Sequence, residues 1–310
     1  MRKILTVARH EFTETTRTKS FRLAFVLVPA TVCVLILIAA HYAHDAHEVT
    51  PYRPQGSGLQ RTTGPISPGD PQPSEGMRGP DIFTGRVGVA LLLLMLMFFA
   101  IVGPVSGTMF TGIIEEKSSR VVEVLLSAVS PFQLMAGKIV GLAGANLAMV
   151  VFWAVTIYTV AARQGFGSRV SLGVLACFFV YFVLGFVLIS SLYAAIGSAC
   201  TTFKDAQTLM MPLMLVIILP TCMWMYFVMN PNGVWATVLS FVPPITPMMM
   251  MLRIGADPDL SRFQIAASML LLAVSVLLVV WGSAKVFRTG ILMYGKPATL
   301  REILRWLQYK

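Results

Sequence analysis

Residues 206–252 read "AQTLMMPLMLVIILPTCMWMYFVMNPNGVWATVLSFVPPITPMMMML" and hold no Asp, Glu, Lys or Arg over 47 residues. One helical crossing of a bilayer takes about 20 apolar residues, so this stretch is too long for a single span. The "NPNG" at 230–233 divides it, since Asn, Pro and Gly in that order favour a turn. The part before the turn, 209–229, has the length of one span. The part after it, 234–252, is also long enough, but it carries Pro243, Pro244 and Pro247. Each proline lacks a backbone donor and disfavours helix, and unsatisfied backbone is not tolerated against lipid. Whether 234–252 is a re-entrant or interfacial hairpin or a true span decides whether the chain crosses an even or an odd number of times.

Working outward, uncharged runs mark five more spans, placed at 23–42, 87–110, 138–162, 171–203 and 263–285, of which the third begins and the last ends on a lysine. The chain is 56% hydrophobic and only 12% charged, about half the charged share of an ordinary globular domain. With six spans, the Lys and Arg residues sort unequally. One side holds six in 1–22, three in 111–138, Lys204, and six from Lys285 onward; the other holds four in 43–86, then Arg163, Arg169, Arg253 and Arg262. Basic residues concentrate on the cytoplasmic side. The expectation is an all-α integral membrane protein of the inner or plasma membrane: a single membrane domain over 1–310 with six transmembrane helices. Both termini are cytoplasmic, and 231–258 forms an outer hairpin. The same reading makes 1–22 an N-terminal interfacial helix, with Ile4, Ala8 and Phe12 on one stripe. It makes 43–86 a flexible Pro/Gly-rich outside loop and 286–310 a cytoplasmic tail. No cleavage site follows the first apolar run, which is therefore expected to remain as an anchor.

Several function classes are disfavoured. The net charge of +10 fits anionic membrane lipid as partner, and no basic and aromatic module points to nucleic acid. Cys33, Cys177, Cys200 and Cys222 all lie in apolar runs, so no disulfide framework is expected. "HYAHDAHE" at 41–48 places His41, His44 and His47 at helical spacing suited to a metal ion; the alternative is a polar collar at the membrane surface. "GILMYGKP" at 290–297 imitates a phosphate-binding loop, but Pro297 stands where Ser or Thr would hold magnesium. The apolar runs contain no charge, which argues against an ion-coupled carrier and against an intramembrane enzyme. Asn146 and a few Ser and Thr remain there, residue types that usually serve helix packing.

Between the second and third apolar runs lies "IIEEKSSRVVEVLLSAVSPFQLMAGK", 113–138. Read as one helix, it puts Glu116, Arg120, Glu123 and Ser127 on a polar face, and Val122, Leu125, Leu126 and Val129 on an apolar one. "SPFQ" then restarts a helix, with Ser130 as cap, Pro131 in the first turn and Gln133 closing a capping box. By itself this is a coupling element or simply a surface helix joining two spans.

Here the residues resemble a family. "EEKSSRVVEVLLSAVSPFQLMAGKIVG" (115–141), "ARHEFTETTRTKSF" (8–21), "LYAAIGSACTTFKDAQTLMMPL" (192–213) and "KVFRTGILMYGKP" (285–297) look like segments of type-2 ATP-binding-cassette exporter permeases, especially the sodium-efflux-permease-like branch. The resemblance implies a half-transporter of six helices that pairs with a second copy or a paralogous permease. It also implies two cytoplasmic ATPase subunits that hold ATP and Mg, with no catalytic residue or cofactor in this chain. Glu115, Glu116, Lys117, Arg120, Glu123, Ser130 and Pro131, within a coupling segment 111–137, are then expected to meet the ATPase. Ser106, Met109, Met214 and Thr221 are expected along the pathway, and Phe241, Pro243, Pro244 and Pro247 at an outer gate. A non-transporting scaffold or sensor subunit, or an ion-coupled carrier, stays open as an alternative. A charge-free interior favours lipid-like or drug-like cargo, whereas the resemblance favours sodium.

Overall fold

The computed structural model describes residues 2–48, 86–119, 121–163, 171–257, 259–291, 293 and 302. Among the described residues the fold is wholly helical: α1 (Arg2–Arg17), α2 (Lys19–Glu48), α3 (Arg86–Ser118), α4 (Val121–Ala128), α5 (Pro131–Arg163), α6 (Leu172–Ala199), α7 (Phe203–Cys222), α8 (Trp224–Met229), α9 (Val234–Leu239), α10 (Thr246–Ala256) and α11 (Arg262–Gly290). Among the described residues four stretches are long and apolar enough to cross a membrane: Pro131–Val160, Leu172–Ala199, Phe203–Cys222 and Arg262–Gly290. Two shorter apolar stretches, Phe21–Val34 and Gly88–Val102, lie in α2 and α3.

Helix α6 is the centre. Its second half is buried almost all round, from Phe186 through Tyr193 to Ala199, and it packs chiefly against α3 and α11. A helix apolar on every side is expected to be enclosed by others. Towards α11, the Tyr181 and Ser268 hydroxyls share a hydrogen bond of 2.6 Å. Towards α3, small residues allow close approach. A Cβ on Gly185 would meet Ile101 at 2.7 Å, and one on Gly197 would lie 3.6 Å from Ile113. Both pairs share one offset in the numbering, so α3 and α6 run parallel.

Three local boundaries differ from the sequence expectation. First, α3 does not stop at 110. Nothing after it breaks a helix until Ser118 and Ser119, whose hydroxyls donate to the Glu115 carbonyl at 2.9 and 2.7 Å and close the helix end. The expected single amphipathic helix over 113–128 is therefore two pieces, with Glu115, Glu116 and Lys117 on the end of α3 and Glu123 on α4. Second, the helix expected from 209 begins at Phe203, because Thr202 accepts from the Asp205 N–H at 3.2 Å and donates to its carboxylate at 2.6 Å. It ends at Met223, whose N–H turns back to the Pro220 carbonyl at 3.1 Å. Third, α2 continues to Glu48, past the expected loop start at 43; residues 49–85 lie outside the described residues.

The Pro-rich segment forms α9, a turn and α10. Residues 246–255 of α10 are all buried, and α10 lies directly on α3. A Cβ on Gly255 would fall 2.5 Å from Ala90 Cα, so only glycine fits there. Pro247 occupies the first turn of α10, where its missing N–H costs little.

Candidate functional site

The charged residues between α3 and α5 are wired into the fold more than they are displayed. Lys138, in the second turn of α5, is buried. Its Nζ donates to Glu11 Oε1 of α1 at 2.5 Å and to Glu116 Oε1 of α3 at 2.6 Å. One ammonium thus joins three helices. Lys117 is turned inward as well, at 2% exposure. Its Nζ donates to the Ser198 carbonyl at the end of α6 (2.7 Å) and to the Gly290 carbonyl at the end of α11 (2.8 Å). The last carbonyls of a helix lack partners within it and carry partial negative charge, so a buried ammonium is well placed there. Burial pulls the Lys117 pKa down from 10.5 to about 8.

What remains outward is small. Glu115 and Glu123 are exposed, as is Val124 at 72%. Val122 is buried, and Leu125, Leu126 and Val129 pack on the core, so the expected apolar face of α4 is real. The "SPFQ" corner has the expected geometry: the Ser130 N–H donates to Gln133 Oε1 at 3.1 Å and the Gln133 N–H to Ser130 Oγ at 3.3 Å. Pro131 is the first residue of α5. From α1, Lys3 Nζ donates to the Ala128 carbonyl at 2.7 Å and caps α4. Arg120 lies outside the described residues.

The sequence missed how α1 takes part. Its expected stripe exists, but it packs on protein. A Cβ on Gly141 of α5 would fall 2.5 Å from the Ala8 carbonyl oxygen and 2.7 Å from Glu11 Cβ, and one on Gly144 would meet Phe12. The glycines at 137, 141 and 144 form a groove that brings Glu11 within reach of Lys138. Their spacing was visible in the sequence, but their partner was not.

At the other end of α3, Arg253 of α10 is fully buried. Its guanidinium donates to the Pro231 carbonyl (2.7 Å), Ser240 Oγ (3.1 Å), Asn232 Oδ1 (3.4 Å) and Gln264 Oε1 (2.8 Å). It holds the turn, the end of α9 and the start of α11 together. Beside it, Pro247 is wedged against Gly185, where a Cβ would meet it at 2.7 Å. Phe241, Pro243 and Pro244 form the half-buried turn between α9 and α10.

The expected pathway residues sit within the helix packing. Met109 is buried in the core. Met214 of α7 accepts from the Tyr193 hydroxyl at 3.5 Å. Thr221 donates to the Ile217 carbonyl at 2.7 Å and faces Met248. The Ser106 side chain lies outside the described ones. The α3–α6 register sets position 106 opposite Ser190, whose hydroxyl is buried and has no hydrogen-bond partner among the described residues, as is so for both polar atoms of Asn146. The side chains of His41, His44 and His47, on the last turns of α2, lie outside the described ones. Among the described residues no group of three metal-ligating side chains forms.

Residues 66–285 match the family model described as "ABC-2 family transporter protein". The chain is similar to "Uncharacterized protein MJ1024" of Methanocaldococcus jannaschii, 30% identical over 68% of this chain and 52% of that protein. It is also similar to "Uncharacterized protein YhaP" of Bacillus subtilis, 26% identical over 79% of this chain and 61% of that protein. It thus spans between about half and three-fifths of the length of these relatives.

Proposed function

The chain belongs to the ABC-2 transporter family, and we propose that it is the permease subunit of an ATP-driven exporter, powered by a separate ATPase chain. In this reading α2, α3, α5, α6, α7 with α8, and α11 are six spans with both termini cytoplasmic. α9 and α10 form an outer hairpin, and two permease chains, identical or paralogous, complete the transporter. ATP and Mg are bound in the partner ATPase. Motion there shifts the membrane helices between inward- and outward-open states, because nucleotide changes the relative stability of the two. Amphipathic cargo or sodium leaves the cytoplasm along α3 and α7, past Ser106, Met109, Met214 and Thr221, and exits by the turn at Phe241–Pro247.

One observation carries this reading. α4 is a short surface helix, and its flanks are tied by Lys138, Lys117 and Lys3 into α1, α3, α5, α6 and α11. A push on α4 and the rigid Ser130–Pro131 corner therefore reaches five helices without passing through a flexible loop. Glu115 and Glu123 are the residues assigned to contact the ATPase, where complementary charge supplies specificity more than affinity. Glu116 and Lys117 are assigned to transmission inside the permease.

The test is charge reversal outside the internal ion pairs. Glu115→Lys with Glu123→Lys is expected to abolish co-purification of the ATPase while leaving the thermal melt of the permease unchanged. Retention of the ATPase with undiminished stimulation of its hydrolysis would rule out this contact surface.

A further inference from the structure

A cleft of about 510 Å³ opens between the first turn of α5 and the last turns of α11. Pro131 and Phe132 line one side, and Trp281, Ala284, Lys285 and Arg288 the other. Positions 281, 284, 285 and 288 form one stripe of α11. A stripe that faces a neighbouring helix normally closes on it with apolar side chains. This one carries two cations, and its Trp281 stays open at 59% exposure, as does Phe132 across the cleft at 51%. Lys285 Nζ sits 4.3 Å from the Trp281 ring centroid, which holds the ammonium at the lip of the cleft. Arg288 is exposed less than one turn further on.

The order along α11 is informative. The uncharged run ends at Ala284, so Trp281 lies within the apolar zone and Lys285 and Arg288 lie just beyond it. Aromatic rings followed within a turn by cations match the order of a bilayer edge, acyl chain first and phosphate next. Basic residues near a helix C-terminus also complement its dipole, but that role needs neither a cleft nor open aromatic rings. The positive end of the α5 dipole falls on the same cleft and adds to its preference for an anion.

We propose that this cleft binds an anionic phospholipid, with its phosphate between Lys285 and Arg288 and an acyl chain along Trp281 and Phe132. The lipid bridges the corner that begins α5 and the end of α11, and so sits where the coupling segment meets the bilayer. The membrane placement of α11 rests on the span assignment proposed above. That assignment fixes only the leaflet and does not affect binding in detergent.

The test uses the full chain in detergent, titrated with phosphatidylglycerol or phosphatidylcholine of the same acyl composition and followed by native mass spectrometry. The wild type is expected to prefer phosphatidylglycerol by on the order of tenfold, from two cations at one phosphate. Lys285→Gln with Arg288→Gln is expected to erase the preference, whereas Arg288→Lys keeps it. Phe132→Ala, which leaves the cations untouched, is expected to weaken both lipids equally. An unchanged size-exclusion profile shows that each variant is folded. Equal binding of the two lipids by the wild type overturns the proposal, as does a preference that survives the double variant. Displacement of phosphatidylglycerol by equimolar inorganic phosphate overturns it in favour of a free-phosphate site. Loss of the ATPase with unchanged lipid binding in the double variant overturns it in favour of a protein contact. Cysteine labelling of the intact cell tests the leaflet separately.

Discussion

Lys138 and Lys117 reach partners on α1, α6 and α11 that lie 81 to 173 residues away in the sequence, whereas the hydrogen bonds of Arg253 among the described residues stay between 231 and 264. Both regions bury a cation, and both leave few of its donors idle. At the α3–α5 junction the cation is a knot between separate long helices, so no one of them moves there without the others. In the hairpin the cation closes a local unit that is stiff within itself and attached to α3 by shape, through Gly255 on Ala90. The first arrangement links separate helices; the second stiffens one local unit.

Three measurements break or sharpen this contrast. The largest effect is expected from Lys138→Met, which strands Glu11 and Glu116 beside each other. Removing one partner of a buried ion pair usually costs about 3–5 kcal/mol. Glu11 and Glu116 keep some solvent, so a loss on the order of 2–3 kcal/mol is expected, read as a lowered melting temperature in detergent. The triple variant Glu11→Gln, Glu116→Gln, Lys138→Met should recover most of that loss; if it melts no higher than Lys138→Met, charge is not what the knot balances.

Next is Arg253→Met, which leaves the Pro231 carbonyl and Gln264 without their donor at about 1–3 kcal/mol for the buried groups. Here the damage should stay local. Hydrogen exchange is expected to speed up across 231–261 and to remain unchanged in α1, α4 and the start of α5. Faster exchange at α4 would remove the distinction between a local clamp and a distributed knot.

The smallest effect is a pH dependence. Lys117 has its folded pKa lowered from 10.5 to about 8 by burial, so between those values the unfolded chain binds the proton more strongly than the folded one. Stability therefore rises with pH across that window. A small upward shift in melting temperature between pH 8 and 10 is expected, and it should vanish in Lys117→Met. A downward shift in the wild type would contradict the buried placement of this ammonium.

Much of the fold could be read from residue order. Runs without charge located the long helices, and the capping pattern at Ser130 and Gln133 located the corner that begins α5. "NPNG" marked the turn before α9, and the three prolines marked where α9 gives way to α10. The candidate site was legible only in outline. Its charged residues were found, but helical spacing puts Glu116 on a polar face and names no partner for Lys117, because it places residues around one axis only. Their actual partners, Lys138, Ser198 and Gly290, lie on other axes. The same limit hid Arg253, whose acceptors are three carbonyl or amide oxygens and a hydroxyl with no sequence signature, and Asn146, whose burial depends on which helices surround it.

The sequence by itself determined that this is a helical membrane protein with a short polar element between two apolar helices, because hydrophobic periodicity and proline chemistry act over a few neighbouring residues. Which residues of that element face outward was decided only by the tertiary structure. Glycines on α5 admit α1, and parallel packing of α3 on α6 brings the end of each helix to Lys117. A buried ammonium takes the carboxylates and carbonyls that packing delivers to it, however far away in the chain they begin.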